Sequence, residues 1–498
     1  MKEEIQALHT EFKEHFIERD EEILGAILAI LANENVLYLG PPGTAKTYLA
    51  QNICKSIDGA QFFYYLLTRF TTPEEIFGPL SIKSLEKDEF KRKTDGCLPT
   101  SHIALLDEIF KANSSILNSL LTILNERRFH NGTEVIDTPL LTVFGASNEL
   151  PEEDENLEAL YDRFLFRYDV RYIQNEDNVK SLLFSNNGEF SPKVKLNVEE
   201  IKKIRAHAQS VELSEEVQDI ILSLKRDLER KESDDTESIR ISDRRWKKIV
   251  NVLKVAAAAN GRKKVDRTML ILLQHMLWDV PDQKAALRTL IIQRLVTGGI
   301  DSEKLENDVK SFKNLVDSET EILSDENFPV TVYYVDRSGY PNGNFKNYPE
   351  LRDYHNRNKK TKFTLDRNYY QDGEDFEKII EKLKKEHAYS PIEGINADKR
   401  ILYQKEFQSL EEKYIRQRRS VKDKFDQVKK NLEANIWITP HDKDEISHVQ
   451  QQKLNQIYNL EKSLDLVRGS FNNFSSTQQK DVETTTDERS KTLSIRGR

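Results

Sequence analysis

An α/β core with a parallel sheet, an all-α segment after it, and a helical C-terminal stalk carrying a small α+β insert is the architecture this sequence predicts. Three observations carry that expectation. Short apolar runs alternate with helical segments through the first 172 residues, and a Gly/Pro turn ending in Lys-Thr follows the first run. Residues 197–290 show successive helical patterns without strand signals. Beyond residue 300 the chain becomes charged and helical, interrupted once by β-rich sequence. Strands separated by helices imply a parallel sheet, with ligands at the carboxyl ends of its strands.

The core is expected over 1–172, with strands near 35–39, 61–67, 102–107, 140–147 and 164–170. The run Val36-Leu37-Tyr38-Leu39 leads into Gly40-Pro41-Pro42-Gly43-Thr44-Ala45-Lys46-Thr47 and then Tyr48, where a helix begins. A strand, a glycine-containing turn and Lys-Thr entering a helix form an anion cradle, because backbone N–H groups and the positive helix end face the phosphates. In that pattern Lys46 reaches the terminal phosphates and the Thr47 hydroxyl coordinates Mg²⁺. The chain departs from the general motif at Ala45, which stands where the last glycine is usual.

Some sixty residues on, His102-Ile103-Ala104-Leu105-Leu106-Asp107-Glu108 is an apolar strand ending in two acids. A carboxylate at that strand tip, Asp107, holds Mg²⁺ through water. The next, Glu108, is placed to polarise the attacking water. A further strand, Leu140 to Ser147, delivers Asn148, whose amide can orient water against the γ-phosphate. Then follows Ala159-Leu160-Tyr161-Asp162-Arg163-Phe164-Leu165-Phe166-Arg167. Together these features predict a nucleoside triphosphatase. Between the second and third strands, 81–85 and 90–93 read as a hairpin around Glu86–Glu89. Arg128–His130 and Glu134–Ile136 read as a second, with Asn131-Gly132 as its turn.

The segments G-P-P-G-T-A-K-T, L-L-D-E, A-S-N-E-L-P and L-Y-D-R-F resemble the MoxR branch of the AAA+ ATPases, in which Ala before the loop Lys is usual. Thr68 to Ile82 and Ser242-Asp243-Arg244-Arg245-Trp246-Lys247-Lys248 are similar to the RavA subgroup (regulatory ATPase variant A). The motif-level resemblance covers roughly residues 10 to 290. It implies Mg²⁺-dependent hydrolysis of ATP to ADP and phosphate. It implies that Arg163 is an arginine finger acting on a neighbour's site, with Arg167 the weaker candidate, and that Arg244 is the sensor-2 arginine. It also implies a homo-oligomeric, hexameric ring with hairpins facing its pore, chaperone-like remodelling of a protein, and a von Willebrand A-domain partner.

The helical segment, 173–296, is the lid of that plan. Its expected helices are Val198–Gln209, Ser214–Lys231, Asp243–Asn260 and Asp266–Val280, with Ser242 as an N-cap and Gly261 beyond a C-terminus. Arg245, Lys247 and Lys248 are expected as solvated or interface charges. The stalk is expected from 297–326 with 399–470. Phe407, Leu410, Tyr414, Val421, Phe425, Val428 and Leu432 hold heptad spacing, and a second helix runs from Asp444 to Arg468 after the Thr439-Pro440 break. Lys399 to Leu432 has eleven basic and five acidic residues, which reads as a solvated or partner-docking face before a nucleic-acid one.

The insert, 327–398, combines the β-rich Pro329–Val335, turn material at Ser338–Gly343, an alternating stretch Thr361–Leu365, and a helix with Phe376, Ile379, Ile380 and Leu383 on one face. It is the expected docking module for a protein partner. Residues 471–498, rich in Ser, Thr, Gln and Asp, are expected to be a disordered tail.

Composition fits these expectations. The formal charge of −9 makes no global demand for nucleic acid. Two cysteines, Cys54 and Cys97, form neither a disulfide framework nor a metal cluster. The acidic N-terminus does not read as a signal peptide, and the longest apolar stretch, Ile23 to Ala32, is too short for a membrane span and reads as the first core helix. A cytoplasmic location is expected. Two other classes stay open: a nucleic-acid-acting motor of the same core type, and a nucleotide-gated scaffold with little turnover.

Overall fold

In the computed structural model, residues 1–151, 155–184, 189–230, 239–298, 302–319, 329–335, 341–347, 362–365, 368–370 and 397–493 are described. Side chains are described except at 114, 155–156, 302–303, 316–319, 329–370, 397–400 and 469–493. The chain divides into two compact units, one of Met1–Ile300 with Asp423–Gln452, the other of Asp301–Lys422 with Lys453–Arg498.

The first unit is built on a five-stranded parallel sheet of β1 (Asn35–Leu39), β2 (Phe62–Leu66), β3 (Ile103–Asp107), β4 (Thr142–Ser147) and β5 (Phe164–Asp169). Their spatial order is β2-β3-β4-β1-β5. β1 and β4 are buried along their whole length, as the continuous apolar runs of a parallel sheet covered on both faces require. In register, Asp107 pairs with Ala146 and Leu39 with Ser147. The carboxyl ends of β3, β4 and β1 therefore end side by side, and the residues that follow them meet.

Helix α1 (Lys2–His15) precedes α2 (Asp20–Ala32), so the apolar stretch Ile23–Ala32 belongs to the second helix of the core, not the first. α2 is buried on all sides. Asn33 closes it in the left-handed conformation, and Arg205 donates to the terminal carbonyls of Ile30 and Leu31. α3 (Lys46–Lys55) leaves the glycine turn directly.

Both expected hairpins differ in detail. Residues Ile82–Leu85 form a short helix rather than a strand. The antiparallel contact lies earlier, where Ser81 N donates to Lys91 O and Lys93 N to Pro79 O. Ser84 and Leu85 both donate to Ser81 O, which winds the next residues into a turn. In the second hairpin, Arg128–Asn131 with Glu134–Asp137, Asn131 pairs with Glu134, so the turn is Gly132-Thr133. Positive φ falls on Gly132. The Asn131 side chain is committed elsewhere, accepting from Arg92 N and donating to Arg92 O.

The lid contains α5 (Val198–Ala208), α6 (Glu215–Glu229), α7 (Asp243–Ala259) and α8 (Gln283–Thr297), with α4 (Ser114–Glu126) belonging to the core. Asn197, Ser214 and Ser242 each cap the helix they precede. The expected helix 266–280 is instead a 3-10 stretch, Arg267–His275, followed by a turn and bends. Its end is bonded to the core, where Tyr161 Oη donates to Asp279 O and Arg167 Nη1 to Trp278 O.

Residues 423–452, expected in the stalk, pack within the first unit. Trp437 Nε1 donates to Ala256 O, Asn435 Nδ2 to Thr268 Oγ1, and Arg288 pairs with Asp442 at 2.7 Å. These buried polar matches hold the break between helices Ala397–Ala434 and Pro440–Leu493 against the lid. At that break Thr439 and Asp442 cap each other's backbone N–H groups, and Pro440 begins the helix where no N–H is needed.

In the second unit, helix Ser302–Glu319 packs with residues 401–422 and 453–468 through Phe312, Tyr403 and Phe407, with Leu305, Val309, Leu410, Tyr414 and Leu464 buried. Arg418–Glu461 and Arg468–Glu411 link the two long helices. An antiparallel sheet has the spatial order Pro341–Asn347, Pro329–Val335, Lys362–Leu365, Asn368–Tyr370. Pro341–Gly343, read as turn material, starts the edge strand of that sheet. The expected helix carrying Phe376, Ile379, Ile380 and Leu383 lies outside the described residues. The final helix is described to Leu493, into the segment read as a tail.

Candidate functional site

The loop between β1 and α3 is fixed by close backbone contact. Gly40 adopts φ +138°, and a Cβ there would lie 2.2 Å from Val170 O. Only glycine fits between the ends of β1 and β5. Gly40 N donates to Ser147 O, and Val170 N to Leu39 O, which ties the loop to both flanking strands. Gly43 is also left-handed, at φ +80°. Ala45 adopts φ +65° as the residue that caps α3, so this chain accepts at a non-glycine residue the conformation that the commoner glycine takes freely. Thr44 Oγ1 donates to Pro41 O and Tyr172 Oη to Pro42 O, closing the turn from both sides.

Lys46 is buried, and its ammonium donates to Gly40 O at 2.6 Å and Pro41 O at 2.9 Å. It also lies 3.5 Å from Asn148 Oδ1. Burial pushes its pKa down from the ordinary lysine value, while Asp107 and Glu108 oppose that shift. Asn148 Nδ2 in turn donates to Glu108 Oε1 at 2.7 Å, so Lys46, Asn148 and Glu108 form one chain of contacts. Lys111 holds the other Glu108 oxygen at 3.2 Å. The Glu108 backbone is left-handed, at φ +53°, and its N–H donates to Asp107 Oδ1. Strain of this kind at a non-glycine residue is characteristic of functional positions. Here it turns two successive carboxylates toward one opening.

Thr47 Oγ1 lies 3.4 Å from Asp107 Oδ2. Adjacent oxygens around an octahedral Mg²⁺, each at about 2.1 Å, are roughly 3 Å apart. The Thr47–Asp107 pair therefore fits one edge of such a shell, directly or through a metal-bound water. No cluster of three or more His, Cys, Asp or Glu side chains forms a self-contained metal site among the described residues.

Tyr48 points away from this opening. Its hydroxyl accepts from Phe190 N at 3.0 Å and meets His15 Nε2 at 3.4 Å, within an aromatic group with Phe16 and Phe190. A cavity of about 510 Å³ lies against the second half of α3, lined by Lys55, Asp58, Phe62 and Lys195 among others. It contains none of the phosphate-loop groups.

Arg163 and Arg244 are not joined to residues 40–48 by any hydrogen bond or ion pair among the described residues. Arg163 Nη1 donates to Asp162, and burial followed by the nearby Arg244 charge lowers its pKa. Arg244 is exposed. The structure thus brings these two together, apart from the Lys46–Asp107–Glu108–Asn148 group. Arg245 and Lys248, expected as solvated or interface charges, are both paired rather than free in solvent. Arg245 is buried and donates to Asp279 Oδ1 at 2.9 Å, and Lys248 pairs with Glu34 at 2.6 Å. Arg167 donates to the same Asp279 oxygen at 2.6 Å and lies over the Tyr161 ring. It is a core-to-lid anchor, which removes it from contention as a finger.

One participant had no sequence signal. Arg19 is buried, donates to Arg171 O, and is near enough to Lys46 to add to the downward shift of its pKa. It sits in no motif, and only the path of the chain before α2 brings it here.

Comparison with known proteins follows the same division. Residues 3–208 match the family model described as the MoxR domain in the MoxR-vWA-beta-propeller ternary systems, and residues 216–291 match an AAA lid domain. Two uncharacterized proteins of Methanocaldococcus jannaschii are similar: MJ0812 is 48% identical over 56% of this chain and 72% of its own. MJ0079 is 46% identical over 55% of this chain and 70% of its own. Structural protein ORF618 of Acidianus two-tailed virus is 30% identical over 41% of this chain and 36% of its own. A crystal structure of a candidate ATPase from Cytophaga hutchinsonii covers 60% of this chain and 94% of its own, at 20% identity and a TM-score of 0.48.

Proposed function

The chain belongs to the MoxR family of AAA+ ATPases, and from that premise we propose that it hydrolyses ATP with Mg²⁺ in a homo-oligomeric ring and uses the cycle to remodel a protein partner. The observation that carries this reading is the convergence of Lys46, Asp107, Glu108 and Asn148 where β1, β3 and β4 end. Transfer of a phosphoryl group to water needs positioning and charge stabilisation more than covalent chemistry. Backbone N–H groups of 41–47 and the Lys46 ammonium hold the phosphates. Thr47 and Asp107 hold Mg²⁺, which neutralises charge on the β- and γ-phosphate oxygens. Glu108 takes a proton from the attacking water, and Asn148 fixes both Glu108 and that water.

Arg163 serves as the finger in a neighbouring subunit's site and Arg244 as the sensor of the γ-phosphate, roles supported by the family plan and by the placement of both on one seam between core and lid. A hexamer and a RavA-like physiology are the specific forms we propose. A von Willebrand A-domain protein is the partner class suggested by the systems for which the matching family model is named. The insert 327–398 is its proposed docking module, and the cytoplasm the proposed location; no helix among the described residues is long and apolar enough to cross a membrane. The basic helix 397–434 favours protein contact over nucleic acid, since Arg416, Arg418 and Lys413 already pair with Glu412, Glu461 and Asp308.

Glu108→Gln tests the reading. Removing the base while keeping size and polarity is expected to lower phosphate release by about 10² or more and to leave ATP and Mg²⁺ binding within about threefold of wild type. Turnover at the wild-type rate would remove Glu108 from the role proposed here.

A further inference from the structure

Asn35, the first residue of β1, is fully buried and makes a hydrogen bond with every polar atom of its side chain. Its Nδ2 donates to Arg163 O at 3.0 Å and, at 3.5 Å, to Leu124 O. Its Oδ1 accepts from Arg127 Nη2 at 2.9 Å and Val143 N at 3.2 Å. This fourfold arrangement fixes which way the amide faces. Arg127 is itself held by Asn33 O and Leu124 O. It stands in the left-handed conformation, φ +56°, at the point where α4 turns into the hairpin Arg128–Asn131 with Glu134–Asp137. Thr138 N donates back to Arg127 O, closing the base of that hairpin on the same residue.

The side chain of one β1 residue therefore joins the root of a surface hairpin to the backbone of Arg163. An asparagine is not needed at the start of a buried strand for packing, where an apolar residue serves better. A buried amide is retained where its hydrogen bonds set a geometry.

We propose that Asn35, oriented by Arg127, is a positioning residue for Arg163, and that it makes the placement of that guanidinium depend on the hairpin rooted at Arg127. The proposal rests on the reading of Arg163 as a finger acting on a neighbouring subunit. A force on the hairpin, such as a polypeptide pressing on it, is passed to Arg127, then to the Asn35 amide, then to the Arg163 carbonyl. Hydrolysis next door answers to it, with no change in the subunit's own phosphate loop.

Asn35→Asp separates this role from a structural one. The carboxylate still accepts from Val143 N and Arg127, so the strand junction is kept, while the donor to Arg163 O, with its longer contact to Leu124 O, is lost and an oxygen faces them instead. Turnover is expected to fall tenfold or more, with ATP affinity within about twofold of wild type. Mixing with Lys46→Ala subunits, which lack a working loop but retain a correctly held Arg163, is expected to recover activity. Adding Asn35→Asp to Arg163→Ala is expected to cost nothing further, because both act through one group. Unchanged turnover, a loss without recovery in mixed rings, or an additional loss on top of Arg163→Ala would each overturn the proposal. Arg163→Ala measured alone keeps the two ideas apart: full turnover from it refutes the finger itself, whereas a loss from it beside an active Asn35→Asp refutes only the positioning role. Should Asn35→Asp not fold, Arg127→Met, which removes the Nη2 donor shared by Asn35 Oδ1 and Asn33 O, takes its place in the same comparisons.

Discussion

Gly40→Ala is the sharpest probe of the phosphate loop, because its effect can be worked from the geometry. A Cβ at Gly40 would lie 2.2 Å from Val170 O and 3.0 Å from Val170 C. Both atoms are backbone, and Val170 N is bonded to Leu39 O, so neither side yields by a rotamer change. Reaching an ordinary contact requires the loop and the end of β5 to part by roughly 1 Å, a displacement of the size that costs an active site about 10²-fold. The φ of +138° adds strain of about 1–3 kcal/mol for any residue with a side chain. Gly40 O also receives the Lys46 ammonium, so the displaced atom is one of those that aim the lysine. Gly43→Ala is the matched control: its φ is +80°, but an added Cβ meets nothing within 4 Å. It should cost only about 1 kcal/mol of left-handed strain, as Ala45 already bears at φ +65°. Titration with a fluorescent ATP analogue and steady-state phosphate release would be measured on both variants. Gly40→Ala turnover within threefold of wild type, or equal damage from Gly43→Ala, would refute the argument that this backbone contact sets the loop.

Three further outcomes follow from the seams of the first unit and from the insert. Burial raises the pKa of Glu22 from 4.5 to about 7; the folded protein thus keeps a proton that the unfolded chain releases, and stability present below about pH 4.5 is lost as pH rises toward 7. Glu22→Gln should raise the unfolding free energy by up to about 3 kcal/mol at pH 8 and by little at pH 4.5, and urea titrations showing the same gain at both would count against that account. Asp279→Asn should destabilise the core–lid seam by about 2 kcal/mol, below the range for breaking a fully buried pair because the Asp279 side chain is 43% exposed; an unchanged urea midpoint would mean Arg167 and Arg245 are satisfied by the carbonyls of Trp278, Phe164 and Tyr161. Replacing 327–398 with a short Gly/Ser linker should spare turnover and ring assembly while abolishing partner capture, and collapse of turnover in a soluble, folded variant would make the insert part of the motor.

The sheet was legible in the sequence because parallel strands covered on both faces are written as unbroken apolar runs, and Val36–Leu39 and Ile103–Leu106 are such runs. The phosphate loop was legible for a different reason, since glycine, lysine and threonine are each required there by the ligand's chemistry. What escaped depended on competition for hydrogen bonds. The Asn131-Gly132 pair signals a turn, yet Asn131 has its amide engaged by Arg92, and the turn moves on by one residue. The periodicity of 266–280 is helical, yet the segment is a 3-10 stretch only to His275, and its end is tied to Arg167 and Tyr161 of the core through the carbonyls of Trp278 and Asp279. Trp437 and Asn435 sit at the end of a heptad pattern, and nothing local says that their polar atoms are matched to Ala256 and Thr268 in the lid. Each miss is a side chain from a distant part of the chain outbidding the local preference.

The arginines show the same competition at the site itself. Asp162-Arg163-Phe164-Leu165-Phe166-Arg167 and Asp243-Arg244-Arg245 each offer two arginines of one chemical type, and sequence cannot rank the members of a pair by burial. The structure separates them by what they touch. Arg167 and Arg245 are buried and share one Asp279 oxygen and the carbonyl of Trp278, so a strand of the core and a helix of the lid are pinned at a single point. Arg163 stands four residues before Arg167, at the entry to β5, and Arg244 is the immediate neighbour of Arg245 in α7; the Arg244 charge is near enough to lower the Arg163 pKa. Two guanidiniums near each other with a single carboxylate, Asp162 at 3.0 Å from Arg163, leave net positive charge that favours an anion. The buried pair thus anchors the chain on either side of the half-buried Arg163 and the exposed Arg244, and the net charge of those two makes that place favourable to an anion.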